Sequence, residues 1–235
     1  MSTRNPANSS SGSSNPAVSR GSGVANLDNP VYDMDNHVVD VTAQAACWPP
    51  ATERKTVTAF PDHTPESAPA ASRRAMAATT GHLGYLPAAV ARMASSPELL
   101  DGFLKMIALF DTTTLDPIAR EVVVMTVAVR HGCHICIAMH SAKLTALGAR
   151  ADLTAALRDA APVPDERLAA VQVFTTHVLD TAGGVGDEAL DAFLAHGYTA
   201  RNALEVVLGI GAYTMSTLAN RMTRAPLDYQ LAAIA

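Results

Sequence analysis

From Ser67 onward, apolar stretches alternate with short punctuations of Pro, Gly, Asp and Ser, a rhythm that predicts a series of helices. Pro65, Glu66 and Ser67 open a first helix to about Thr79, Pro87 opens a second, and Ser96, Pro97 and Glu98 open a third that reaches Phe110. Asp116 and Pro117 start the next. Its apolar positions Ile118, Val122, Met125 and Val129 recur at helical spacing, and it ends at His131 and Gly132, where glycine tolerates the positive φ of a C-terminal cap. A further helix runs from about Cys133 to Leu147 and stops at Gly148. The pattern then predicts helices over 151–160, 164–181 and 187–195, with Gly183, Gly184 and Gly186 forming a break. Thr199 is the N-cap of a long last helix to about Met222. Its Ala203, Leu204, Val207, Leu208, Gly211, Ala212, Met215 and Leu218 offer a broad apolar surface, with small residues that admit close helix approach, and much of it suits a subunit interface.

Composition supports an all-α fold. Among 235 residues, 49% are hydrophobic, only 5% are aromatic and alanine is abundant, which favours packed helices over a sheet and suffices for one sizeable core. Residues 1–26 centre on the serine-rich run Ser9 to Ser14 and lack the apolar content to offset the entropy of ordering. Residues 27–66 scatter Val31, Val38, Val39, Val41, Trp48 and Val57 among prolines and read as an irregular arm, docked on the core or on a neighbouring subunit. The expected organisation is therefore a low-complexity or irregular extension over 1–66 and a helical domain over 67–235.

Charge narrows the function classes. The net charge of -5 is spread along the chain without a basic stripe, which excludes nucleic acid as the expected partner. No apolar run reaches the roughly 20 residues of a bilayer span, because Arg130, His131 and His134 interrupt the greasiest segment, so no membrane partner is expected. The opening residues lack the apolar core of a secretory signal, and their two arginines give only a faint likeness to a transit peptide. Three cysteines are not a framework of paired bridges, so a reducing, cytoplasmic location is expected.

The chemistry-bearing stretch runs from Arg120 to His140. On a helix, Cys133 and Cys136 stand three residues apart and Cys136 and His140 four apart, so two sulfurs and an imidazole share a face. If Gly132 reverses the chain, Glu121 before the turn and His140 after it lie at similar distances from it and can meet across the helix pair. A Glu among Val122, Val123 and Val124 needs such a partner. A cysteine in the first turn of a helix feels the positive dipole end, which lowers its pKa and favours the nucleophilic thiolate. Two other readings stay open at this point. The pair could form half of a zinc site with His131, His134 or His140, although only Cys47 remains to extend it, or could be two small buried apolar groups. His131 suits a helix C-terminus, where a partly charged imidazole is favoured; His82, His177 and His196 read as surface or satisfied core groups, and Cys47 beside Trp48 as a semi-buried apolar residue.

The spacing Glu121, eleven residues, Cys133-x-x-Cys136, three residues, His140 resembles the signature of the AhpD-like alkylhydroperoxidases of the carboxymuconolactone decarboxylase family. The likeness extends upstream through Gly81-His82-Leu83-Gly84-Tyr85-Leu86-Pro87 and downstream to Leu218 to Asp228, covering about residues 70–228. It implies an AhpD-like helical bundle with the cysteine pair at the start of a central helix. It further implies a thiol-dependent peroxidase that reduces hydroperoxides, with no metal or organic cofactor and with a dithiol reductant such as a lipoyl-bearing protein. By position, Cys136 would attack the peroxide, Cys133 would be the more accessible resolving thiol, and Glu121 and His140 would form a proton relay serving Cys136. The dipole alone favours Cys133 as the lower-pKa thiol. Some peroxidase members carry a second relay histidine immediately before the second cysteine; here that position is Ile135, and His134 lies one residue earlier, about 100° round the helix. Family members form homotrimers or hexamers. A lyase of the carboxymuconolactone decarboxylase type, or a non-catalytic oligomeric scaffold, is the alternative the same fold allows.

Overall fold

The computed structural model describes residues 59–232. Cys47, Trp48 and most of the expected N-terminal extension lie outside the described residues. Among those described, nine α-helices and a short 3₁₀ turn occur without strands. They are α1 (Ala70–Leu83), α2 (Ala88–Met93), α3 (Pro97–Asp111), α4 (Pro117–Arg130), α5 (His134–Ala146), α6 (Ala151–Arg158), α7 (Glu166–Asp180), α8 (Asp187–Ala195), α9 (Ala200–Thr223) and the turn Tyr229–Leu231.

Capping chemistry sets most boundaries. Ser96 and Asp116 each precede a proline at the first helical position, and their side chains accept from Leu99 N at 3.3 Å and Ala119 N at 2.9 Å. Thr199 and Asn202 cap α9 reciprocally. The first helix departs from expectation, beginning at Ala70 and running on to Leu83. Pro69 disfavours helical geometry at Ala68, so Ser67 cannot open the helix, and the left-handed Gly84 at φ 80° closes it.

α4 is the central element. It packs against α5, α7 and α9, with α3 and α6 at its flanks. Val122, Val123, Val124, Met125 and Val127 are wholly buried, joining Phe110, Val171, Phe174 and Val206 in one core cluster. A second cluster joins Met76, Met93, Leu100 and Phe103 to Ala128, Ile135, Ala219 and both cysteines. α9 approaches α3 and α4 closely at Gly209, where an added Cβ would lie 2.6 Å from Phe110 Cζ of α3 and 3.0 Å from Val123 Cγ1 of α4. Buried Glu205 on α9 accepts from the backbone N–H groups of Thr114 and Leu115 and so anchors the loop that leads into α4.

The expected apolar surface of α9 is divided. Ala203 and Ala212 enter the core, whereas Leu204, Val207, Leu218 and Met222 stand exposed along one stripe. The described end of the arm docks on the core: Asp62 makes a two-pronged contact with Arg92 of α2, which also donates to the carbonyls of Thr223 and Arg224. None of the described helices is long and apolar enough to cross a membrane.

Candidate redox site

Gly132, at φ 61°, takes the left-handed conformation that reverses the chain between α4 and α5. The two helices then run side by side, and Glu121 and His140 meet: Glu121 Oε2 lies 2.6 Å from His140 Nδ1. A carboxylate can only accept, so the imidazole keeps its Nδ1 proton on this bond and leaves Nε2 for proton exchange. The second carboxylate oxygen, Oε1, takes a contact of 2.9 Å from Lys143 Nζ, one turn beyond His140. Burial opposes the Glu121 charge, but His140 and Lys143 outweigh it and hold the carboxyl below its ordinary range. Tyr213 of α9 meets the His140 ring edge-on with centroids 5.0 Å apart.

Cys133 is the N-cap of α5, and Cys136 lies in its first turn. Their sulfurs are 3.3 Å apart, hydrogen-bonding distance and well beyond the roughly 2.05 Å of a disulfide, so no bridge joins them. From α9, Asn220 Nδ2 reaches both sulfurs, at 3.7 Å from Cys133 and 3.5 Å from Cys136, and Ser216 Oγ lies 4.0 Å from Cys136. The Cys136 thiol, its backbone N–H and Asn220 act together to draw the Cys133 pKa down to about 6, against the opposing effect of burial. Cys136, facing that anion and buried as well, is pushed up and stays protonated.

The expected residues are thus brought together, with two corrections. Cys133 is not the more accessible thiol: it is 1% exposed and Cys136 5%, because α1, α2, α3 and α9 cover the helix start. His131 is the helix end foreseen, but it is not partly charged. Burial, Arg130 and Arg221 lower its pKa, and its ring pairs with Thr217 Oγ1 at 2.8 Å. His140 and Cys136 share a helix face as foreseen, yet no hydrogen bond joins them. His134 is exposed and Ile135 is buried, while His82, His177 and His196 lie at the surface. Among the described residues no cluster of ligands suits a metal ion.

Sequence reasoning missed Lys143, Tyr213, Ser216 and Asn220. Lys143 follows His140 at helical spacing and could have been found. Tyr213, Ser216 and Asn220 recur at intervals of three and four on α9, a polar seam hidden within its apolar pattern.

Residues 97–175, which carry Glu121, both cysteines and His140, match the carboxymuconolactone decarboxylase family. None of the curated proteins matches the chain. Among solved structures, the chain is similar to an uncharacterized peroxidase-related protein from Ralstonia eutropha JMP134, described as an alkylhydroperoxidase AhpD core. The two share 18% identity and a TM-score of 0.66, over 73% of this chain and 93% of that one. A peroxidase-related protein from Silicibacter sp. TM1040 is similar at 19% identity and TM-score 0.62, over 77% and 97%. The debrominase Bmp8, solved with 2,3,4-tribromopyrrole, follows at 16% identity and TM-score 0.60, over 78% and 97%. The chain thus has the fold of the AhpD-like proteins, and its segment 97–175, which carries the candidate site, is similar to the carboxymuconolactone decarboxylase family.

Proposed function

We propose that the protein is a thiol-dependent oxidoreductase that reduces hydroperoxides through Cys133 and Cys136, assisted by Glu121 and His140. A single observation carries the reading: two cysteine sulfurs 3.3 Å apart stand at the start of the short helix that also carries an imidazole held by a buried carboxylate. The fold alone does not decide it, since a debrominase shares that fold.

In the proposed cycle the Cys133 thiolate accepts the proton of Cys136, and the resulting Cys136 thiolate attacks one oxygen of the hydroperoxide. The S–O bond forms as the O–O bond breaks, and the alkoxide leaves as alcohol with a proton from the His140 imidazolium. Cys133 then attacks the Cys136 sulfenic acid, and its thiol proton leaves with the hydroxide as water, giving the disulfide. A dithiol reductant, of lipoyl type or similar, reopens the disulfide by thiol–disulfide exchange and becomes a disulfide itself; of its two protons one returns to Cys136 and the other to the His140 imidazole, leaving Cys133 as thiolate. Glu121 keeps His140 oriented throughout, and Lys143 neutralises the carboxylate's outer oxygen. No metal or organic cofactor takes part.

We also propose that copies of the chain assemble, as a homotrimer or hexamer, through the exposed stripe Leu204, Val207, Leu218 and Met222. Location in a reducing cytoplasm belongs to the same reading.

Intact-mass measurement and alkylation before and after hydrogen peroxide, on the wild type and on Cys133→Ser and Cys136→Ser, test the cycle. One Cys133–Cys136 bridge per chain and peroxide consumption in the presence of dithiol are expected. Unchanged turnover in Cys136→Ser would sink the assignment.

A further inference from the structure

The thiol pair is closed on one side by α9, outside the segment that carries the family match. Asn220 is the residue of that helix nearest both sulfurs. It is 4% exposed, its Nδ2 faces Cys133 at 3.7 Å and Cys136 at 3.5 Å, and its Oδ1 is buried without any hydrogen-bond partner. An orphaned buried carbonyl destabilises the fold, and an apolar side chain of similar size would avoid that cost. The amide nevertheless stands there with its donor end toward sulfur.

We propose that Asn220 is a positioning residue that holds negative charge between the two sulfurs and so sets how readily the pair is oxidised and reduced. The proposal rests on the thiol–disulfide reading of the site. A thiolate is a strong acceptor and a disulfide sulfur a weak one, so an N–H donor aimed at the pair stabilises the reduced form over the oxidised form. A disulfide whose reduced form is stabilised is the stronger oxidant and is regenerated more easily by an external dithiol. Among the described residues no other side chain donates to both sulfurs. Ser216 reaches only Cys136, at the edge of hydrogen-bonding distance. The charged and titratable groups nearby act at longer range or elsewhere: His134 on α5, His131 and Arg130 at the end of α4, Arg221 on α9, which donates to the His131 carbonyl, and Glu121 with His140 and Tyr213. α1, α2 and α3 present the apolar Met76, Met93, Leu100 and Phe103.

The test compares full-length wild type, Asn220→Ala and the isosteric Asn220→Asp by thiolate absorbance against pH and by equilibration with a dithiothreitol redox buffer, with no peroxide present. Asn220→Ala is expected to raise the thiolate midpoint by about one pH unit and shift the equilibrium about tenfold toward disulfide, or roughly 30 mV more negative for two electrons. Asn220→Asp, which puts an acceptor where the donor was, should move both further in the same direction. Midpoints and equilibria within twofold of wild type in folded variants would overturn the proposal. In wild type, the side-chain amide signals of Asn220 should shift with the thiolate titration and again on oxidation; signals indifferent to both would also overturn it, even if the variants fail to fold. Absence of peroxide turnover alongside a moved midpoint would overturn the peroxidase reading and leave the role of Asn220 standing.

Discussion

Glu121 Oε2 and His140 Nδ1 lie 2.6 Å apart although nineteen residues separate them in sequence. The pair exists because α4 and α5 reverse at Gly132 and present one face to each other. With Lys143 on the outer oxygen, the carboxylate is bracketed by two cationic or proton-carrying groups, while the buried residues that follow it on its own helix, Val122 to Met125, are apolar. Such a buried charge is stable only while its partners remain.

Glu121→Gln keeps the shape and removes the charge. It leaves His140 without its anion, so thermal unfolding should show a loss of about 3 kcal/mol, the order found when one partner of a buried pair is removed. If the relay transfers protons, peroxide turnover should fall on the order of a hundredfold or more. Wild-type turnover with reduced stability would confine the pair to a structural role.

The same carboxylate predicts an acid limb. The Glu121 pKa is lowered from 4.5 by His140 and Lys143, so its ionised form favours the folded state. That contribution is fully present above about 4.5 and is lost as pH falls through the lowered folded value. Lys143→Met removes one of the two causes, and the acid unfolding midpoint should move to higher pH. An unmoved midpoint in urea titrations between pH 3 and 6 would show that Lys143 does not act on the carboxylate.

For the thiols, absorbance at 240 nm should reveal one thiolate with a midpoint of about 6, far below the ordinary 9.0. Because the folded pKa is depressed, this group adds stability that is complete above about 9 and lost as pH falls through about 6. Cys136→Ser should raise the midpoint, since the serine hydroxyl does not reproduce the thiol–thiolate pair. Cys133→Ser should abolish the low transition. A low midpoint surviving in Cys133→Ser would place the anion on Cys136.

How much of this was legible depends on range along the chain. Ser96, Asp116 and Thr199 cap their helices through contacts three residues away, so the local code announced them. Glu121 and His140 were legible because a single glycine turn stands between them. Ser67 misled because the proline at position 69 overrides an otherwise acceptable helix start. Asn220 was hidden for a different reason. It meets Cys136 across a separation of 84 residues, and helical periodicity says which residues share a face without saying which helix that face will meet. The lowered pKa of His131 was hidden in part for the same reason: burial is its main cause, and of the two arginines that add to it Arg221 comes from the far end of the chain.

The exposed stripe on α9 makes a prediction about assembly. Leu204, Val207, Leu218 and Met222 are between 48% and 73% exposed, more apolar surface on one helix face than a lone chain needs. Leu204→Glu combined with Leu218→Glu should leave folding intact and reduce the mass measured by sedimentation to that of one chain. An unaltered oligomer in this variant would place the interface elsewhere.

The packing of α9 on α3 and α4 can be tested at Gly209. Alanine in place of glycine inside a helix ordinarily stabilises by up to about 1 kcal/mol. At Gly209 the added methyl would sit 2.6 and 2.7 Å from the Phe110 ring and 3.0 Å from Val123, both in the buried core. Both neighbours are already close-packed, so overpacking should outweigh propensity by about 1–3 kcal/mol. Gly211, two residues on, provides the control. Its added methyl would meet only Met106 Cε, the flexible end of a side chain, at 3.4 Å. Gly209→Ala should therefore lower the urea midpoint while Gly211→Ala holds or raises it. Equal midpoints would mean that α9 does not approach α3 and α4 as closely as the core implies, and the polar seam of Tyr213, Ser216 and Asn220 would then lose its footing against the cysteine pair.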